Sequence, residues 1–468
     1  MPGQRATIVA DVGFGDAGKG ATVDFLARSR QIAAVVRFNG GGQAAHNVVI
    51  PNGIHHTYAQ FGSATFIPGV RTHLSRFMLL DPVTLMTEAK HLRDSGCGNP
   101  FDRLTVDGQA LVVTPFHKAG NRLREVARGP ACHGSCGMGI GEAVADRIAD
   151  PNAAVFVHDL KDRSTLARKL QRQHEAKRQL LAHFHGLASD PRVEKEVALL
   201  NNPDAAIEWA TVFNELSHVI PVVSGEYLHT LAQAGELIFE GAQGMLIDEW
   251  HGFHPYTTWS TTTFANALTL LREIGYAAPI ERLGVVRAYF VRHGAGPFPT
   301  EMPELSPLLP DSYNGHGRWQ GAFRVGWFDR VLARYALTVS GGADALAVTH
   351  LDQFTRLSAP RVGVAYDVPA AVAFRDRHVA VFRGSEKGGF VRTSELRPKA
   401  ELTDLSHQEA LTALLAVARP VYETAPTDVH EYLAMLERGL GVPVTLTACG
   451  PTAADRRFVT AASCSFVR

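Results

Sequence analysis

The residues with the clearest chemical potential lie near the start of the chain, where a glycine-rich turn carries an acid and a lysine. Gly13, Gly18 and Lys19 fit the pattern G-x-x-x-x-G-K, in which main-chain N–H groups and the lysine hold phosphates. The Ser or Thr that usually binds Mg²⁺ after the lysine is Gly20 here, so the metal needs another hard oxygen ligand. Asp16, inside the turn, has suitable chemistry. The pattern therefore predicts a nucleoside triphosphate site with magnesium.

Two other interpretations of the turn compete with a phosphate loop. Gly13, Gly15 and Gly18 also satisfy G-x-G-x-x-G, the dinucleotide fingerprint, but Lys19 directly after them favours phosphoryl transfer. A nicotinamide site would also need an acidic residue about 20 residues further on, and Arg37 lies in that region. An ordinary strand–turn–helix junction without a ligand is the remaining alternative.

Composition limits the partners of the chain. Lysine and arginine together number 46, as do aspartate and glutamate, which argues against a dedicated nucleic-acid binder. No apolar stretch is long enough to span a bilayer, and the first strand begins too early to leave room for a signal peptide. The cysteines are five and scattered, and Cys132 and Cys136 lack a second pair to complete a metal site. We therefore expect a cytoplasmic protein that acts on small molecules, without nucleic-acid or membrane partners.

Short apolar runs that alternate with helical patterns predict an α/β fold. Because ligand loops gather at the carboxyl ends of parallel strands, we expect one large domain, residues 1–468, around a mainly parallel central sheet with a phosphate-loop-like nucleotide site. Strands are predicted at 7–12, 33–38, 107–114, 236–239, 280–292 and 344–349, helices at 79–92, from 142 and within 159–215, and loops at 39–46, 131–141, 240–244 and 302–326.

Several longer strings, in collinear order, resemble the adenylosuccinate synthetase family over nearly the whole chain. The most specific are Gly-Ala-Gly-Pro-Phe-Pro-Thr-Glu at 294–301 and Phe-Glu-Gly-Ala-Gln-Gly at 239–244. The remaining matches lie at 15–20, 40–46, 137–141, 326–329, 349–352, 422–424 and 450–451. Chance is a poor explanation for so many specific strings in order, so the family's fold and chemistry become the expectation.

The resemblance implies an enzyme that uses GTP to phosphorylate the 6-oxygen of IMP, after which the amine of aspartate displaces the phosphate. Asp16 matches the family's base, beside the lactam N–H and in contact with Mg²⁺. His46 matches the general acid at the leaving β–γ bridging oxygen, a role that suits the pKa of histidine. Lys19 matches the lysine that neutralises the phosphates, and Gln243 matches the glutamine that hydrogen-bonds the 6-oxygen.

The resemblance also implies a guanine site, a metal site and a homodimer. Asp352 matches the aspartate that accepts the guanine N1–H and exocyclic amine, although His350 replaces the lysine of the family's Lys-Leu-Asp string. Pro451 matches a wall against the base, and Ala45 would join Asp16 as a metal ligand. The residues assigned to GTP are Gly15, Asp16, Ala17, Gly18, Lys19, Gly20, Ala21, Ala45, His46, Asn47, His350, Leu351, Asp352, Ala448, Cys449 and Gly450.

The loop that grips the amine donor departs from the family pattern. The family string Thr-Thr-Gly-Arg-x-Arg-Arg reads Arg-Trp-Gln-Gly-Ala-Phe-Arg here, so that Arg324 alone stays in register, while a shifted alignment would let Arg318 serve. Trp319, Gly321 and Phe323 occupy key positions. Loss of two guanidinium–carboxylate pairs, each worth about 1.5–3 kcal/mol, should cripple aspartate binding. The two aromatic residues indicate a less charged or aromatic-bearing amine.

The site expected for the acceptor's 5′-phosphate departs as well. Cys136, with Ser135 beside it, replaces a threonine, and Gln43 replaces an asparagine. Asp150 stands where the family donates an arginine across the dimer, and a carboxylate there would repel phosphate. Thr258 is retained. The phosphate-bearing substrate is therefore open to question.

We interpret the chain as a divergent ligase of the family, with its GTP and phosphoryl-transfer parts kept and both acceptor pockets rebuilt. The first alternative is a housekeeping adenylosuccinate synthetase with an unusual loop. The second is a catalytically idle GTP-binding paralogue, against which the joint presence of Asp16, Lys19, His46 and Gln243 argues.

Overall fold

Strands and helices alternate along the chain, as the sequence pattern predicts. The computed structural model describes residues 4–184, 186–311 and 313–459. The strands are β1 Ala6–Asp11, β2 Ile32–Arg37, β3 His46–Val49, β4 His55–Tyr58, β5 Arg71–Leu74, β6 Leu79–Leu80, β7 Leu104–Asp107, β8 Leu111–Val112, β9 Val222–Val223, β10 Glu236–Gly244, β11 Ile280–Arg287, β12 Phe290–His293, β13 Phe323–Gly326, β14 Phe328–Asp329, β15 Ala345–Thr349, β16 Arg361–Pro369, β17 Ala380–Lys387, β18 Phe390–Leu396, β19 Arg419–Thr424, β20 Val444–Ala448 and β21 Arg456–Phe458.

Helices alternate with the strands of the central sheet, and they also make up most of the charged segment at 159–215. None of those in the described ranges has both the length and the apolar character that crossing a membrane requires. They are α1 Lys19–Ser29, α2 Pro82–Asp94, α3 Pro115–Arg128, α4 Ile140–Ala149, α5 Arg163–His183, α6 Glu194–Asn201, α7 Ala205–Ser217, α8 Tyr227–Ala234, α9 Ala265–Glu273, α10 Arg330–Val339, α11 Leu351–Phe354, α12 Ala370–Arg375, α13 Leu405–Val417 and α14 Val429–Leu440.

A ten-stranded sheet forms the centre, in the order β21-β20-β15-β11-β1-β10-β2-β5-β7-β9. From β9 to β20 each neighbouring pair is parallel, and β21 joins the edge antiparallel. Every residue of β1 is buried, as expected for a parallel strand covered on both faces. The predicted α/β class with a mainly parallel central sheet is confirmed. A smaller sheet, β14-β16-β18-β17 with β19 on β16, packs beside it.

Two predicted boundaries near the site were wrong for local reasons. The strand predicted at 107–114 is interrupted, because the Asp107 carboxylate accepts the Gln109 N–H at 2.8 Å and forms a turn before β8 begins. The glycine-rich segment 240–244, predicted as a loop, continues β10 as a strand, with an irregular register opposite β1. Gln243 therefore stands on the carboxyl end of a central strand rather than on a free loop.

Two further segments differ more mildly. The helix predicted from residue 79 begins at Pro82, because the Asp81 side chain caps its first turn and proline suits that position. The surface loop predicted at 302–326 ends in β13, which pairs antiparallel with β12. The second half of that loop contributes to the wall of the cavity described next.

Candidate active site

A cavity of about 870 Å³ opens at the carboxyl ends of β1, β2, β10, β11, β15 and β20. Loops that follow neighbouring parallel strands meet at one edge of a sheet, which is why residues far apart in sequence converge there. Most of the residues predicted from the sequence line it. They are Gly15, Asp16, Gly18, Lys19, Gly20, Ala21, Gln43, Ala45, His46, Asn47, Ser135, Cys136, Gln243, Thr258, His350, Asp352, Ala448 and Gly450.

Asp11, the last residue of β1, organises the phosphate loop, although no motif assigned it a role. Its buried carboxylate accepts hydrogen bonds from the main-chain N–H groups of Gly13 at 2.8 Å and Ala17 at 2.9 Å. It also accepts one from Lys19 Nζ at 3.2 Å. The charge of the buried lysine is thereby compensated within the protein. The sequence carries one signal for this role of Asp11, since it is an acidic residue at the end of an otherwise apolar strand.

Gly20 has a packing reason to replace the usual Ser or Thr. A Cβ at this position would lie 2.6 Å from His46 Cβ and 2.8 Å from Ser63 Oγ, too close for real atoms. The first turn of α1 therefore lies directly against the start of β3, and a side chain does not fit between them. Any metal at this site must take its protein oxygen from elsewhere in the loop.

Asp16 is the acidic residue of the loop that is available as an oxygen ligand for a metal. Its carboxylate lines the cavity and has no hydrogen bond within the described ranges. Burial raises the pKa of Asp16, while the charges of Arg287 and Lys19 oppose that rise. A carboxyl group with a raised pKa is a better proton acceptor than one on the surface.

The donor set fits a magnesium ion that is shared with a nucleotide. No group of three or more His, Cys, Asp or Glu side chains in the described part of the chain could hold a metal by itself. Mg²⁺ in nucleotide sites uses one or two carboxylates together with phosphate oxygens. Asp16 and Ala45 line the same cavity, so both are candidates for the protein's share of such a set.

Unusual backbone conformations concentrate in this cavity. Among the described residues, the non-glycine positions with positive φ are Asp16 (60°), Gln243 (64°) and His350 (58°). The left-handed region costs a side-chain-bearing residue roughly 1–2 kcal/mol. All three residues line the cavity. Strain of this kind clusters at functional sites, where the surrounding fold holds a residue in place.

His46 is held by a buried acid. Its Nδ1 lies 2.6 Å from Glu240 Oε1, and Glu240 also accepts hydrogen bonds from the Ser63 N–H at 2.9 Å and from the Ser63 hydroxyl. Burial and the nearby Arg37 charge lower the pKa of His46 to about 4. Burial opposes the ionisation of Glu240, but the His46 contact, with Arg37 and Ser63, holds its pKa well below the usual range. The resting pair is therefore a neutral imidazole that donates from Nδ1 to a carboxylate.

The cavity wall carries buried polar atoms that lack a protein partner. These are both amide atoms of Gln43, His46 Nε2, Gln243 Oε1, Gln353 Oε1 and Arg456 Nε, counted over the described residues. Buried polar atoms in folded proteins are nearly always satisfied, and exceptions call for an explanation. Gln243 is oriented through its other amide atom, since Nε2 donates to Thr258 Oγ1 at 2.7 Å. A bound ligand with donors and acceptors at these points would satisfy them.

The end of the cavity after β15 presents a carboxylate and a neutral ring. Asp352 accepts one hydrogen bond from Gln353 Nε2 at 3.3 Å, which leaves most of its acceptor capacity for a ligand. His350 Nδ1 lies 2.9 Å from Thr349 Oγ1. Burial and the charge of Arg287 lower the pKa of His350 well below its usual range. The position that carries lysine in the related family is therefore uncharged here.

Five predicted positions do not line the cavity: Ala17, Leu351, Cys449, Arg318 and Arg324. Ala17 and Leu351 are buried among apolar side chains beneath the loops that they belong to. Cys449 is exposed at the end of β20. These three positions support loops of the site, whereas the two arginines are held elsewhere.

Arg318 and Arg324 were expected to bind substrate, but their guanidinium groups bind the protein. Arg324 Nε donates to Glu301 Oε1 at 2.9 Å, and Arg324 Nη1 donates to the Gly294 carbonyl at 3.1 Å. Arg318 Nη2 donates to the Arg192 carbonyl at 3.0 Å, on the outer surface. Sequence register alone does not fix where a long side chain points.

The aromatic residues of the same loop also turn away from the cavity. Trp319 packs against the backbone at Gly137 and lies under the guanidinium of Arg122. Phe323 packs edge-on against His293, with ring centroids 5.9 Å apart. Neither residue lines the cavity. The expectation of a less charged or aromatic-bearing amine therefore stays a prediction, and neither ring contributes to the surface of the cavity.

The wall expected to meet a 5′-phosphate is largely neutral. Cys136 lines it, with a thiol pKa raised by burial, and Ser135 Oγ accepts a hydrogen bond from Asn121 Nδ2 at 2.8 Å. Asp150 lies outside the cavity lining and pairs with Arg172 at 2.7 Å in the same chain. The side chains at the predicted phosphate positions are thus uncharged, while Glu125, which accepts from the Ser135 N–H, and its partner Arg128 line the same cavity.

Comparison with known proteins gives one consistent family. The model of the adenylosuccinate synthetase family matches residues 8–456. The adenylosuccinate synthetase of Legionella pneumophila (strain Paris) is 31% identical over 454 residues, which cover 96% of each protein. That of Marinomonas sp. (strain MWYL1) is 32% identical over 454 residues, again 96% of each.

Two solved structures share the fold. The fully ligated adenylosuccinate synthetase of Plasmodium falciparum superposes with a TM-score of 0.73 at 19% identity, covering 97% of this chain and 99% of that one. The succinoaminodeoxyadenylate synthetase of cyanophage S-2L, bound to dGMP and dATP, superposes with a TM-score of 0.58 at 16% identity, covering 97% and 95%. At these identities the likeness concerns the fold.

Proposed function

The chain belongs to the adenylosuccinate synthetase family, whose members are GTP-dependent ligases that form C–N bonds, and from this premise we propose that it phosphorylates the 6-oxo group of a purine nucleotide or analogue. An amine then displaces the phosphate. One observation carries the proposal. The Asp16 carboxylate, His46 Nε2 and Gln243 Oε1 meet in one cavity, and none has a hydrogen-bond partner among the described residues.

Each of these groups has a step to perform. Asp16 accepts the proton of the lactam N–H, which makes the ring oxygen nucleophilic toward the γ-phosphorus. Gln243 fixes the position of that oxygen, with its own amide anchored on Thr258. His46 takes up a proton when the triphosphate arrives beside it and donates it from Nε2 to the departing bridging oxygen. The buried Glu240 carboxylate stabilises the imidazolium so formed.

Lys19 and the metal complete the phosphate site. In this proposal Lys19 exchanges its contact with Asp11 for phosphate oxygens, and the glycine N–H groups and the start of α1 face the anion. Asp16 and Ala45 would hold Mg²⁺, which supplies charge neutralisation on the transferring phosphoryl group when it is bound.

Asp352 makes GTP the preferred phosphoryl donor. A carboxylate accepts both the N1–H and the exocyclic amine of guanine, whereas adenine offers an acceptor at N1. The cyanophage enzyme of the same fold is bound to dGMP and dATP, so this scaffold accommodates another donor base and an acceptor other than IMP. For this chain, Asp352 supports a guanine nucleotide, and the replacement of the family threonine by Cys136 supports a changed acceptor.

The alternative is adenylosuccinate formation from IMP and aspartate. It is favoured by the likeness to curated synthetases along almost the whole chain. Arg318 and Arg324, which were expected to bind aspartate, donate instead to the Arg192 carbonyl and to Glu301, and this argues against it. In either case we propose a homodimer, which the family resemblance implies and which sedimentation velocity tests.

Positional isotope exchange tests the phosphoryl transfer separately from the amine step. GTP labelled with heavy oxygen at the β–γ bridge is incubated with Mg²⁺ and IMP, dGMP or the corresponding nucleosides, without any amine. Reversible transfer scrambles the label, and Asp16→Ala should abolish scrambling while the surface change Asp94→Asn, as matched control, leaves it intact. Scrambling that persists in Asp16→Ala would remove this residue from the role proposed for it.

A further inference from the structure

We propose that Gln353 is a specificity residue for the nucleotide, and that its Oε1 accepts the second N–H of the 2-amino group of guanine. This role rests on the proposed function, in which Asp352 faces the guanine base. It adds an acceptor beside the two carboxylate oxygens of Asp352. The protein should therefore distinguish GTP from nucleotides whose 2-amino group is absent or substituted.

Oε1 of Gln353 is a buried acceptor without a partner. Gln353 lines the cavity next to Asp352, and its Oε1 makes no hydrogen bond with any described residue. Arg456 Nε, a donor in the same cavity, does not satisfy it, because that atom has no partner either. A buried acceptor that stays unsatisfied costs free energy, which is why such atoms are rare in folded proteins. A ligand that donates a hydrogen bond at this point would remove the cost.

The orientation of the Gln353 amide follows from its contact with Asp352. The amide nitrogen Nε2 donates to Asp352 Oδ2 at 3.3 Å. A carboxylate accepts hydrogen bonds, so the flipped amide would place two acceptor oxygens against each other. The nitrogen therefore stays on the carboxylate, and Oε1 remains beside it as a separate acceptor.

The short helix α11 holds both side chains at the cavity. Leu351 and Phe354, its first and last residues, are buried at 1% and 2% exposure. Phe354 also stacks on Tyr432, with ring centroids 4.0 Å apart. Residues three apart lie on the same side of a helix, and the two residues between these apolar anchors, Asp352 and Gln353, line the cavity.

Contacts between the end of β15 and the phosphate loop fix the base site relative to that loop. Thr349 Oγ1 donates to the Ala17 carbonyl at 2.8 Å. The next residue, His350, packs against the same loop, since a Cβ added at Gly18 would lie 3.9 Å from His350 Cε1. A nucleotide whose phosphates occupy the loop would therefore meet the residues of α11 in fixed positions.

Guanine matches this set of acceptors. Its edge offers three hydrogens, one on N1 and two on the 2-amino group. The Asp352 carboxylate accepts the N1–H and the nearer amino hydrogen, and Gln353 Oε1 accepts the remaining amino hydrogen. Hypoxanthine, the base of ITP, has no amino group and leaves two acceptors unpaired. A site built to hydrogen-bond a group rejects the analogue that lacks it.

A comparison of GTP with N2-methyl-GTP and ITP tests the second amino hydrogen. N2-methyl-GTP keeps the N1–H and one amino hydrogen for Asp352 and replaces the other hydrogen by a methyl group. Affinities are measured with Mg²⁺ by displacement of a ribose-labelled fluorescent GDP from the full chain. We expect GTP to bind about tenfold or more tightly than either analogue. Equal affinity of the wild-type protein for GTP and N2-methyl-GTP would overturn the inference, whether or not any variant folds.

Gln353→Ala tests whether this residue causes the selectivity. The change removes Oε1 and makes room for the methyl group, so the preference for GTP over N2-methyl-GTP should shrink by about fivefold or more. The preference for GTP over ATP should remain, because Asp352 still accepts the N1–H. Gln171→Ala, at an exposed position of α5, is the matched control and should leave the affinities unchanged. An unchanged preference in a Gln353→Ala protein that melts like the wild type would also overturn the inference.

Nucleotide binding and isotope exchange separate this role from the proposed function. Selective binding of GTP without exchange on any acceptor would reject the proposed function and leave the role of Gln353 standing. Exchange that proceeds together with equal affinities for GTP, ITP and N2-methyl-GTP would leave phosphoryl transfer standing and reject the role of Gln353. Failure of all three nucleotides to bind would reject both.

Discussion

Glu240→Gln is the most informative single change, because Glu240 acts on His46 without lining the cavity. The side chain of Glu240 is fully buried at 0% exposure in β10. Its two oxygens accept hydrogen bonds from His46 Nδ1, the Ser63 N–H and the Ser63 hydroxyl. Glutamine has the same shape but offers one acceptor oxygen and an NH₂ group, so at least one of these donors would face another donor.

The magnitude follows from the loss of a charge-assisted hydrogen bond in the transition state. Such a bond contributes about 1.5–3 kcal/mol. Each 1.36 kcal/mol in the barrier corresponds to about tenfold in rate, so kcat for phosphoryl transfer should fall roughly 10- to 150-fold. Without the carboxylate, the pKa of His46 drops further below its present value of about 4, and the imidazolium needed at the leaving oxygen becomes harder to form.

The assay is single-turnover phosphate release from GTP with the active acceptor, together with KM for GTP. We expect kcat to fall and KM to change little, because Asp352 and the phosphate loop still hold the nucleotide. Ser63→Ala is the matched control, since it removes one donor to Glu240 but leaves the His46 contact, and it should cause a smaller loss. A folded Glu240→Gln protein with wild-type kcat would refute the role of the pair.

Three other changes test separate parts of the structure. Asp352→Asn removes one of two guanine acceptors, so the ratio of kcat/KM for GTP over ATP should fall by about tenfold or more, measured with both nucleotides in parallel. Gly20→Ala places a methyl 2.6 Å from His46 Cβ, so it should displace the imidazole and lower kcat as strongly as loss of His46 itself, which a His46→Ala comparison checks. Burial raises the pKa of Asp329 to about 6, so the folded state binds a proton that the unfolded state releases, and stability falls as pH rises from about 4 to about 6. Asp329→Asn, which can still cap α10, should flatten that part of the curve of urea midpoint against pH.

The phosphate loop and the parallel sheet could be predicted because each has a local signature. An apolar run followed by spaced glycines and Lys19 specifies a strand, a turn and a helix start with little tertiary context. Asp16 could be named because Gly20 left the metal without its usual hydroxyl. Gln243 could be named from a motif string, but not placed, because glycines at 241 and 244 favoured a loop where the fold continues a buried strand.

The hydrogen-bond partners of buried acids and the orientations of long side chains could not be predicted in the same way. Asp11 ends a predicted strand and Glu240 lies within a matched string, yet neither pattern says which buried acid contacts Lys19 or His46. The same limit affects Arg318 and Arg324, whose positions in register said nothing about the carbonyls and carboxylate that hold them. Long side chains choose among several nearby partners, and that choice is settled by tertiary packing.

Two parts of the cavity are built by different kinds of element. This difference explains how the loop between β12 and β13 can change while the residues proposed for phosphoryl transfer are kept. Gln243 lies near the end of the central strand β10, Asp16 lies in the loop after β1, and His46 contacts Glu240 of β10, so a shift of the central strands would disturb all three. Asp311 and Gln320, which also line the cavity, belong to the loop between β12 and β13, and Arg287 joins Asp311 to the main chain of Asp16. Loops accept substitution at little cost to the core. Substitutions in this loop are therefore separable from the phosphoryl-transfer residues, which the exchange assay without amine tests by themselves.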